Sequence, residues 1–231
     1  MIFFAYSLYF AAVVIFPLWL EDVLGYTSFQ AGLAVAPMGI GALSGALIVA
    51  RLIKKTQPVF LMAHGFFWMA VGCFYAANFV YTISFFHIAM SRVILGFGLA
   101  FWMIPTMSLV SKSLSNEDLP SGLGLFHFLR SLSGGIGTAV YVTLYTRRGY
   151  QQHMNLAYTY NNYKQVCRSY FSDILRYIPN EVSAFNYLDQ MVENQASTFA
   201  FVEVNNLMGY ICLFLMCISF LGYQKKSLSV V

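Results

Sequence analysis

The chain has 231 residues, of which 59% are hydrophobic and only 10% are charged. Because a soluble domain carries about 25% charged residues, this composition excludes a soluble globular protein and indicates an integral membrane protein. The formal net charge of +4 is modest. It is typical of loop charges beside a membrane and not of the basic patch that nucleic-acid binding requires, so no nucleic-acid partner is predicted.

Six apolar runs follow one another along the chain, at residues 2–20, 29–50, 58–77, 83–110, 123–146 and 198–221. Each is long enough to cross a bilayer, whose core of about 30 Å needs about 20 helical residues. None alternates with the period of two that a membrane β-strand requires. The sequence therefore predicts an all-α integral membrane protein with six transmembrane helices. Residues 1–146 hold the first five, and residues 198–231 hold the sixth with a tail.

A polar segment at residues 147–197 separates the fifth and sixth spans. Apolar side chains recur at helical spacing over residues 166–178, which predicts a short amphipathic helix there. If both termini are cytoplasmic, the inner loops hold six basic residues and this segment holds five on the other side. The count leaves the orientation open, although the short loops favour termini inside.

Two arginines, Arg92 and Arg130, lie inside predicted spans. Such a residue costs about 2.5–3.5 kcal/mol at the centre of an inserting helix, and it usually faces a bundle interior or a wet cavity. Both are candidates for a substrate or gating pathway, and a structural arginine bonded to backbone carbonyls is the alternative. Tyr9 and Trp102 lie in aromatic- and Met-rich spans that suit an adaptable apolar cavity, or that simply fill a membrane core.

One helical stripe of the fifth span contains His127, Arg130, Gly134 and Gly137. Gly41 and Gly45 are four residues apart in the second span, and the fourth span has Gly96, Gly98 and Ala100, of which the first and last are four apart. Small residues four apart let transmembrane helices approach closely. Close helix packing explains the small residues of any one span. Their occurrence in three spans suggests helices that slide against one another. His64 and His87 are interpreted as helix-packing histidines, whereas His127 is also a candidate for the pathway.

The four cysteines, Cys73, Cys167, Cys212 and Cys217, have no metal-ligand spacing. Neither a metal nor a cofactor is predicted.

A resemblance to a known family rests on three motifs, which are GYTSFQAGLAVAPMGIG (25–41), SRVILGFGLAFWMIP (91–105) and FHFLRSLSGGIGTA (126–139). They resemble the C-terminal half of a major facilitator superfamily transporter of the 14-span drug/proton antiporter branch, the EmrB/QacA type of multidrug efflux protein. The third motif is the most specific match, with Phe128, Arg130, Gly134, Gly137 and Arg147 in register. The family often has Asn in place of His127. The loop ARLIKK (50–55) is similar to a weakened cytoplasmic gating loop, in which Arg51, Lys54 and Lys55 match.

The resemblance implies one half-bundle of six helices in the inner or plasma membrane. Both termini would be cytoplasmic and residues 147–197 extracytoplasmic. The first and fourth spans would line a central cavity, and the second and fifth would face the other half. Efflux of small hydrophobic or amphipathic compounds by alternating access with proton antiport is implied. The implied partners are the bilayer, the substrate, a proton, a missing N-terminal half or second copy, and a periplasmic adaptor protein.

Two alternatives stay open. The chain could be a truncated, vestigial membrane protein without transport of its own. An intramembrane serine protease is a remote alternative, because residues 42–45 (ALSG) only approach the required serine motif and the sixth span has no histidine. No enzymatic activity is predicted.

Overall fold

The computed structural model describes residues 1–162, 171, 173–177 and 180–228. In this part of the chain the long elements are all helices and no strand occurs. They are α1 (Ile2–Leu24), α2 (Ser28–Val35), α3 (Pro37–Leu52), α4 (Pro58–Ala76), α5 (Phe85–Lys112), α6 (Leu119–Asn162) and α7 (Glu181–Leu228). The prediction of an all-α protein is confirmed. The amphipathic helix predicted at residues 166–178 falls largely outside the described residues.

Five segments are long and apolar enough to cross a membrane, judged by length and composition. They are Ile2–Leu24, Ser28–Leu52, Pro58–Ala76, Phe85–Lys112 and Glu181–Leu221. Each overlaps one of the predicted spans over nearly its whole length. The predicted fifth span, which lies in α6, is not among them. His127, Arg130 and the neighbouring glycines lower the mean hydropathy of that helix, so its place in the bilayer stays a prediction.

The connection between the first two spans is set by local chemistry. Gly25 ends α1 in the left-handed conformation, with φ of 65°, which a residue without a Cβ adopts at little cost. Thr27 and Gln30 then form a capping box that satisfies free N–H groups at the start of α2. A turn at Ala36, just before Pro37, divides α2 from α3. The sequence predicted one uninterrupted helix here, although proline is favoured at a helix start.

The helices form two groups that share one core. In one group α5 packs against both α3 and α4, and in the other α1 packs against α6 and α7. Contacts of α4 with α7 join the two groups. The core contains large side chains from each group, such as Trp19, Phe66, Trp102 and Phe201. Since α1 and α5 belong to different groups, they meet mainly through long side chains.

The helices α6 and α7 extend well beyond the length that a bilayer requires. At 1.5 Å per residue, the 44 residues of α6 measure about 66 Å, against a hydrocarbon core of about 30 Å. We call residues 147–162 of α6 and 181–197 of α7 the helical extension. It is held together by contacts between the two helices: Gln152 donates to Glu203 over 2.6 Å, and the His153 ring lies 3.4 Å from the Asp189 carboxylate. The segment expected to be a loop from residue 147 is thus helical at both described ends.

Candidate functional site

An aromatic cluster fills the space between α1, α5 and α6. The Tyr6 ring of α1 lies edge-on to Trp102 of α5, with centroids 4.8 Å apart, and edge-on to Phe126 of α6 at 5.9 Å. Phe66 of α4 stacks on the other side of Trp102 at 5.8 Å. Tyr6 and Trp102 are both about 1% exposed. This cluster therefore joins four helices at one level of the bundle, and we call it the Tyr6 cluster.

Two polar atoms of the Tyr6 cluster have no hydrogen-bond partner among the described residues, the Tyr6 hydroxyl and the Trp102 indole N–H. Buried polar atoms in proteins nearly always have a partner, because leaving one unpaired costs about 1–3 kcal/mol. An unpaired buried group of this kind is one that a ligand or an ordered water can satisfy. Both side chains are about 1% exposed, so their polar atoms become available to an amphipathic molecule only when the helices around the cluster separate.

Arg130 lies at the rim of the Tyr6 cluster. Its guanidinium carbon is 5.3 Å from the Tyr6 ring centroid and 5.8 Å from that of Phe10, both within cation–π range. Tyr9 is half-buried and contacts Phe10 edge-on at 5.2 Å. His127 is exposed, and its ring touches only the cluster's edge, at Phe126. Four of the predicted pathway residues, Tyr9, Trp102, His127 and Arg130, thus fall in or beside one region.

Arg92 lies in a different place. It is about 1% exposed, and its guanidinium carbon is 3.5 Å from the centroid of the Phe16 ring. Its Nε donates to the Ser91 hydroxyl over 3.2 Å, whereas its Nη2 has no partner among the described residues. Phe16 is ten residues beyond Tyr6 on α1, which is about 15 Å along the helix. The two arginines that the sequence grouped together therefore do not share one site.

The glycines of α3 and α5 let these two helices touch. A Cβ added at Gly41 would lie 2.0 Å from the Val93 carbonyl oxygen, and one at Gly96 would lie 2.0 Å from the Met38 carbonyl oxygen. Gly45 meets Phe97 in the same way, at 2.9 Å. The small face of the second span is therefore used inside the bundle.

Gly98 performs the same role between α5 and α4. An added Cβ there would lie 2.8 Å from the carbonyl oxygen of Gly65. Close approach of glycine-bearing helices holds α5 against both of its neighbours.

The glycine stripe of α6 faces α1 of the same chain. A Cβ at Gly134 would lie 2.8 Å from the Phe10 ring, and one at Gly137 would lie 2.5 Å from Cα of Ser7. The Ser7 hydroxyl shares its hydrogen between the backbone carbonyls of Phe3, at 2.8 Å, and Ser133, at 3.0 Å, and the second of these contacts links the two helices. The expectation that this face meets a second bundle is wrong for Gly134 and Gly137, because α1 already covers them.

The remaining sequence candidates lie apart from the Tyr6 cluster. His64 is exposed on α4 beside Phe101, and His87 shares a 2.7 Å hydrogen bond with the Tyr75 hydroxyl. Arg51, Lys54 and Lys55 are exposed where α3 ends, and none of them belongs to an ion pair between described residues.

Comparison with known proteins gives the family. The sequence pattern of the Major Facilitator Superfamily matches residues 1–146. The chain belongs to this superfamily. Membership indicates a membrane transporter.

The relatives of this superfamily member include proteins named for export and resistance. The chain is 31% identical over 202 residues to the multidrug export protein EmrB of Escherichia coli (strain K12), which covers 87% of this chain and 39% of that protein. It is 30% identical over 191 residues to the probable multidrug resistance protein EmrY of the same strain, covering 78% and 37%. The fatty acid resistance protein FarB of Neisseria gonorrhoeae is 28% identical over 152 residues, covering 66% and 30%. The chain spans about two fifths of the length of EmrB and EmrY.

Three aromatic residues around the two arginines were missed by sequence reasoning. They are Phe10, Phe16 and Phe126. Tyr6 and Phe10 are four residues apart on α1, and that spacing could have marked one face of the helix. The contacts of Phe16 with Arg92 and of Phe126 with Tyr6 join helices far apart in sequence. No local pattern indicates them.

Proposed function

We propose that this chain forms the C-terminal bundle of a transporter that exports small hydrophobic or amphipathic compounds in exchange for protons. The observation that carries the proposal is the 31% identity to multidrug export protein EmrB over 87% of the chain. The names of FarB and EmrY, with fatty acid and multidrug resistance, support a broad class of apolar substrates.

The Tyr6 cluster supports this class of substrate. Its rings give a large apolar contact area that tolerates different ligand shapes, while the Tyr6 hydroxyl and Trp102 N–H supply two hydrogen-bonding groups. Arg130 adds a positive charge at the rim. An amphipathic compound with an acidic or polar head fits this combination.

A second bundle would complete the pathway. Large apolar side chains are exposed along α3 and α6, including Leu43 at 70%, Ile40 at 66% and Phe128 at 61%. We propose that part of this surface contacts an N-terminal half, or a second copy of the chain, and that lipid covers the rest. The substrate path would run between the two bundles near the Tyr6 cluster.

Alternating access would couple the export of substrate to the movement of protons in the opposite direction. A ligand shifts the balance between inward- and outward-facing states only by its differential affinity for them. In our proposal substrate favours one state and a bound proton the other. The six predicted spans contain a single carboxylate, Glu203 of the sixth, which accepts a hydrogen bond from Gln152 and lies 3.5 Å from Arg148 of the helical extension. We therefore place the proton-binding carboxylates in the second bundle.

The proposed location is the inner or plasma membrane with both termini in the cytoplasm. Residues 147–197, which include the whole helical extension, would then be extracytoplasmic. The turn that bears Arg51, Lys54 and Lys55 would be a cytoplasmic gating loop. By family resemblance, the extracytoplasmic side is where an adaptor protein would bind.

The test is efflux of a fluorescent amphipathic dye with an acidic head from cells without their own pumps. We expect no efflux from the chain alone and efflux when it is co-expressed with an N-terminal bundle, with loss of activity on adding a protonophore. Arg130→Ala should abolish efflux while membrane insertion is retained. Arg176→Ala is the matched control, since Arg176 is 78% exposed and its ion pair is with Asp173, three residues away on the chain. Wild-type efflux in Arg130→Ala would refute the role of this arginine, and efflux by the chain alone would refute the need for an N-terminal half.

A further inference from the structure

An apolar groove lies between α3 and α4 at the end where the α3–α4 turn is found. Its cavity measures about 620 Å³, within the range of small-molecule sites. The walls are Ile48 and Leu52 of α3 and Leu61 of α4, and Phe97 and Phe101 of α5 form the floor. This groove is separate from the Tyr6 cluster, and we call it the α3–α4 groove.

The groove exists because α3 and α4 pack against α5 and not against each other. Gly41 and Gly45 hold α3 on α5, and Gly65 and Gly72 hold α4 on α5. Close contacts at these four glycines fix both helices to one support and leave a wedge between them. The wedge is a consequence of the packing and is part of the folded bundle.

The edges of the groove are exposed apolar surface that we assign to the bilayer, leaving Ile40 and Leu43 further along α3 for the second bundle. Leu47 is 66% exposed, Phe60 48% and Ile48 40%. Side chains of this kind at the surface of a transmembrane bundle contact lipid tails. The groove therefore continues the lipid-facing surface inward, and a lipid tail reaches it without crossing a polar barrier.

The mouth of the groove is basic. Thr56 and Gln57 line it, and Arg51, Lys54 and Lys55 are within five residues of Thr56. All three cations are exposed, no carboxylate occurs in residues 37–84, and no ion pair between described residues involves them. The mouth thus has positive charge without a counter-charge from its own helices.

We propose that the α3–α4 groove binds one anionic phospholipid of the adjoining leaflet. One acyl chain would lie in the groove against Phe97 and Phe101. The headgroup phosphate would lie at Arg51, Lys54 and Lys55. Basic pockets between transmembrane helices are typical sites for anionic headgroups, and each cation near an anionic lipid surface contributes about fivefold in affinity. The proposal does not depend on which compound is transported.

Trp68 makes the proposal measurable. The chain has three tryptophans, and Trp19 and Trp102 are both 1% exposed or less, whereas Trp68 is half-buried and lines the groove. A lipid with brominated acyl chains quenches only tryptophans that its chains touch. In the full chain reconstituted in phosphatidylcholine, we expect brominated phosphatidylglycerol to quench Trp68 with at least a tenfold preference over brominated phosphatidylcholine. The Trp68→Phe variant should lose this selective quenching.

Two sets of variants separate the headgroup from the groove. The first is the triple variant Arg51→Gln, Lys54→Gln, Lys55→Gln, in which the two brominated lipids should quench Trp68 about equally. Its control is Lys112→Gln, which removes an exposed cation at the end of α5 and should leave the preference for phosphatidylglycerol unchanged. Ile48→Phe should fill the groove and also abolish the preference with all cations present. Ile40→Phe, exposed elsewhere on α3, is its control. Equal quenching by the two lipids in the wild type would overturn the proposal, and so would a preference that survives either the triple variant or Ile48→Phe in a normally folded protein.

Discussion

The central guanidinium carbon of Arg92 lies 3.5 Å from the centroid of the Phe16 ring, and both side chains are about 1% exposed. A buried charge needs compensation, and Arg92 has one hydrogen bond to Ser91 while its Nη2 has no partner among the described residues. The negative face of the Phe16 ring is therefore a principal stabilising contact for this cation. It also ties α5 to α1, whose backbones stay apart.

The first prediction concerns this contact. Phe16→Leu keeps an apolar side chain but removes the ring face, and a desolvated cation–π contact contributes about 2 kcal/mol. We expect the substitution to destabilise the bundle by about that much more in the wild type than in an Arg92→Met background. Unfolding of the four proteins in detergent gives the coupling energy. An Arg130→Met background is the control, because Arg130 contacts Tyr6 and Phe10 but not Phe16. Equal costs in all backgrounds would refute the coupling.

The second prediction compares Gly137 with Gly135, two residues earlier on α6. A Cβ at Gly137 would lie 2.5 Å from Ser7 Cα, so Gly137→Ala must push α6 away from α1 and weaken the hydrogen bond from Ser7 to Ser133. Overpacking of this kind costs about 1–3 kcal/mol. No atom lies within 4 Å of a Cβ added at Gly135, so Gly135→Ala should be neutral or slightly stabilising. Thermal unfolding of both variants tests the difference. A stable Gly137→Ala protein would contradict the packing.

The third prediction tests the helical extension. If α6 continues as a helix beyond the membrane, exposed positions recur every four residues. Cysteines introduced at Tyr150, Met154 and Tyr158, each about 70% exposed, should react rapidly with a membrane-impermeant maleimide. A cysteine at Leu156, which lines an inter-helix cavity of about 380 Å³, should react more slowly. Uniform labelling would indicate a loop in place of the helix.

The extent of this extension shows where sequence patterns stop being informative. Hydropathy identifies the length of chain that lies in lipid. The fifth span was predicted to end at residue 146 because Arg147 and Arg148 come directly after it. Residues 147–162 contain no proline and a single glycine, Gly149, so nothing in the backbone ends the helix there. The helix therefore continues to Asn162. The described contacts of Gln152 and His153 with α7 stabilise it.

The sequence predicted that the helices pack closely, but not which helices pack together. Small residues at four-residue spacing predicted that the spans approach closely, and Gly41, Gly96 and Gly137 do lie at such contacts. The sequence could not tell which helix each face meets, because small-residue faces fit any partner of complementary shape. For Gly137 the partner is Ser7, 130 positions earlier in the chain. The contact of Arg92 with Phe16 has no local signal either.

The last prediction concerns the Tyr6 hydroxyl. Tyr6→Phe keeps the ring, its edge-on contact with Trp102 and its cation–π contact with Arg130, and it removes only an oxygen that has no partner among the described residues. Because an unpaired buried polar group is destabilising by about 1–3 kcal/mol, the variant should unfold at the same temperature as the wild type or a higher one. If that hydroxyl binds substrate, dye efflux by the assembled transporter should fall at the same time. Tyr210→Phe, 64% exposed on α7, is the control and should change neither measurement. A stabilised Tyr6→Phe protein with undiminished efflux would show that the hydroxyl has no part in transport, and a destabilised one would show that it has a structural partner.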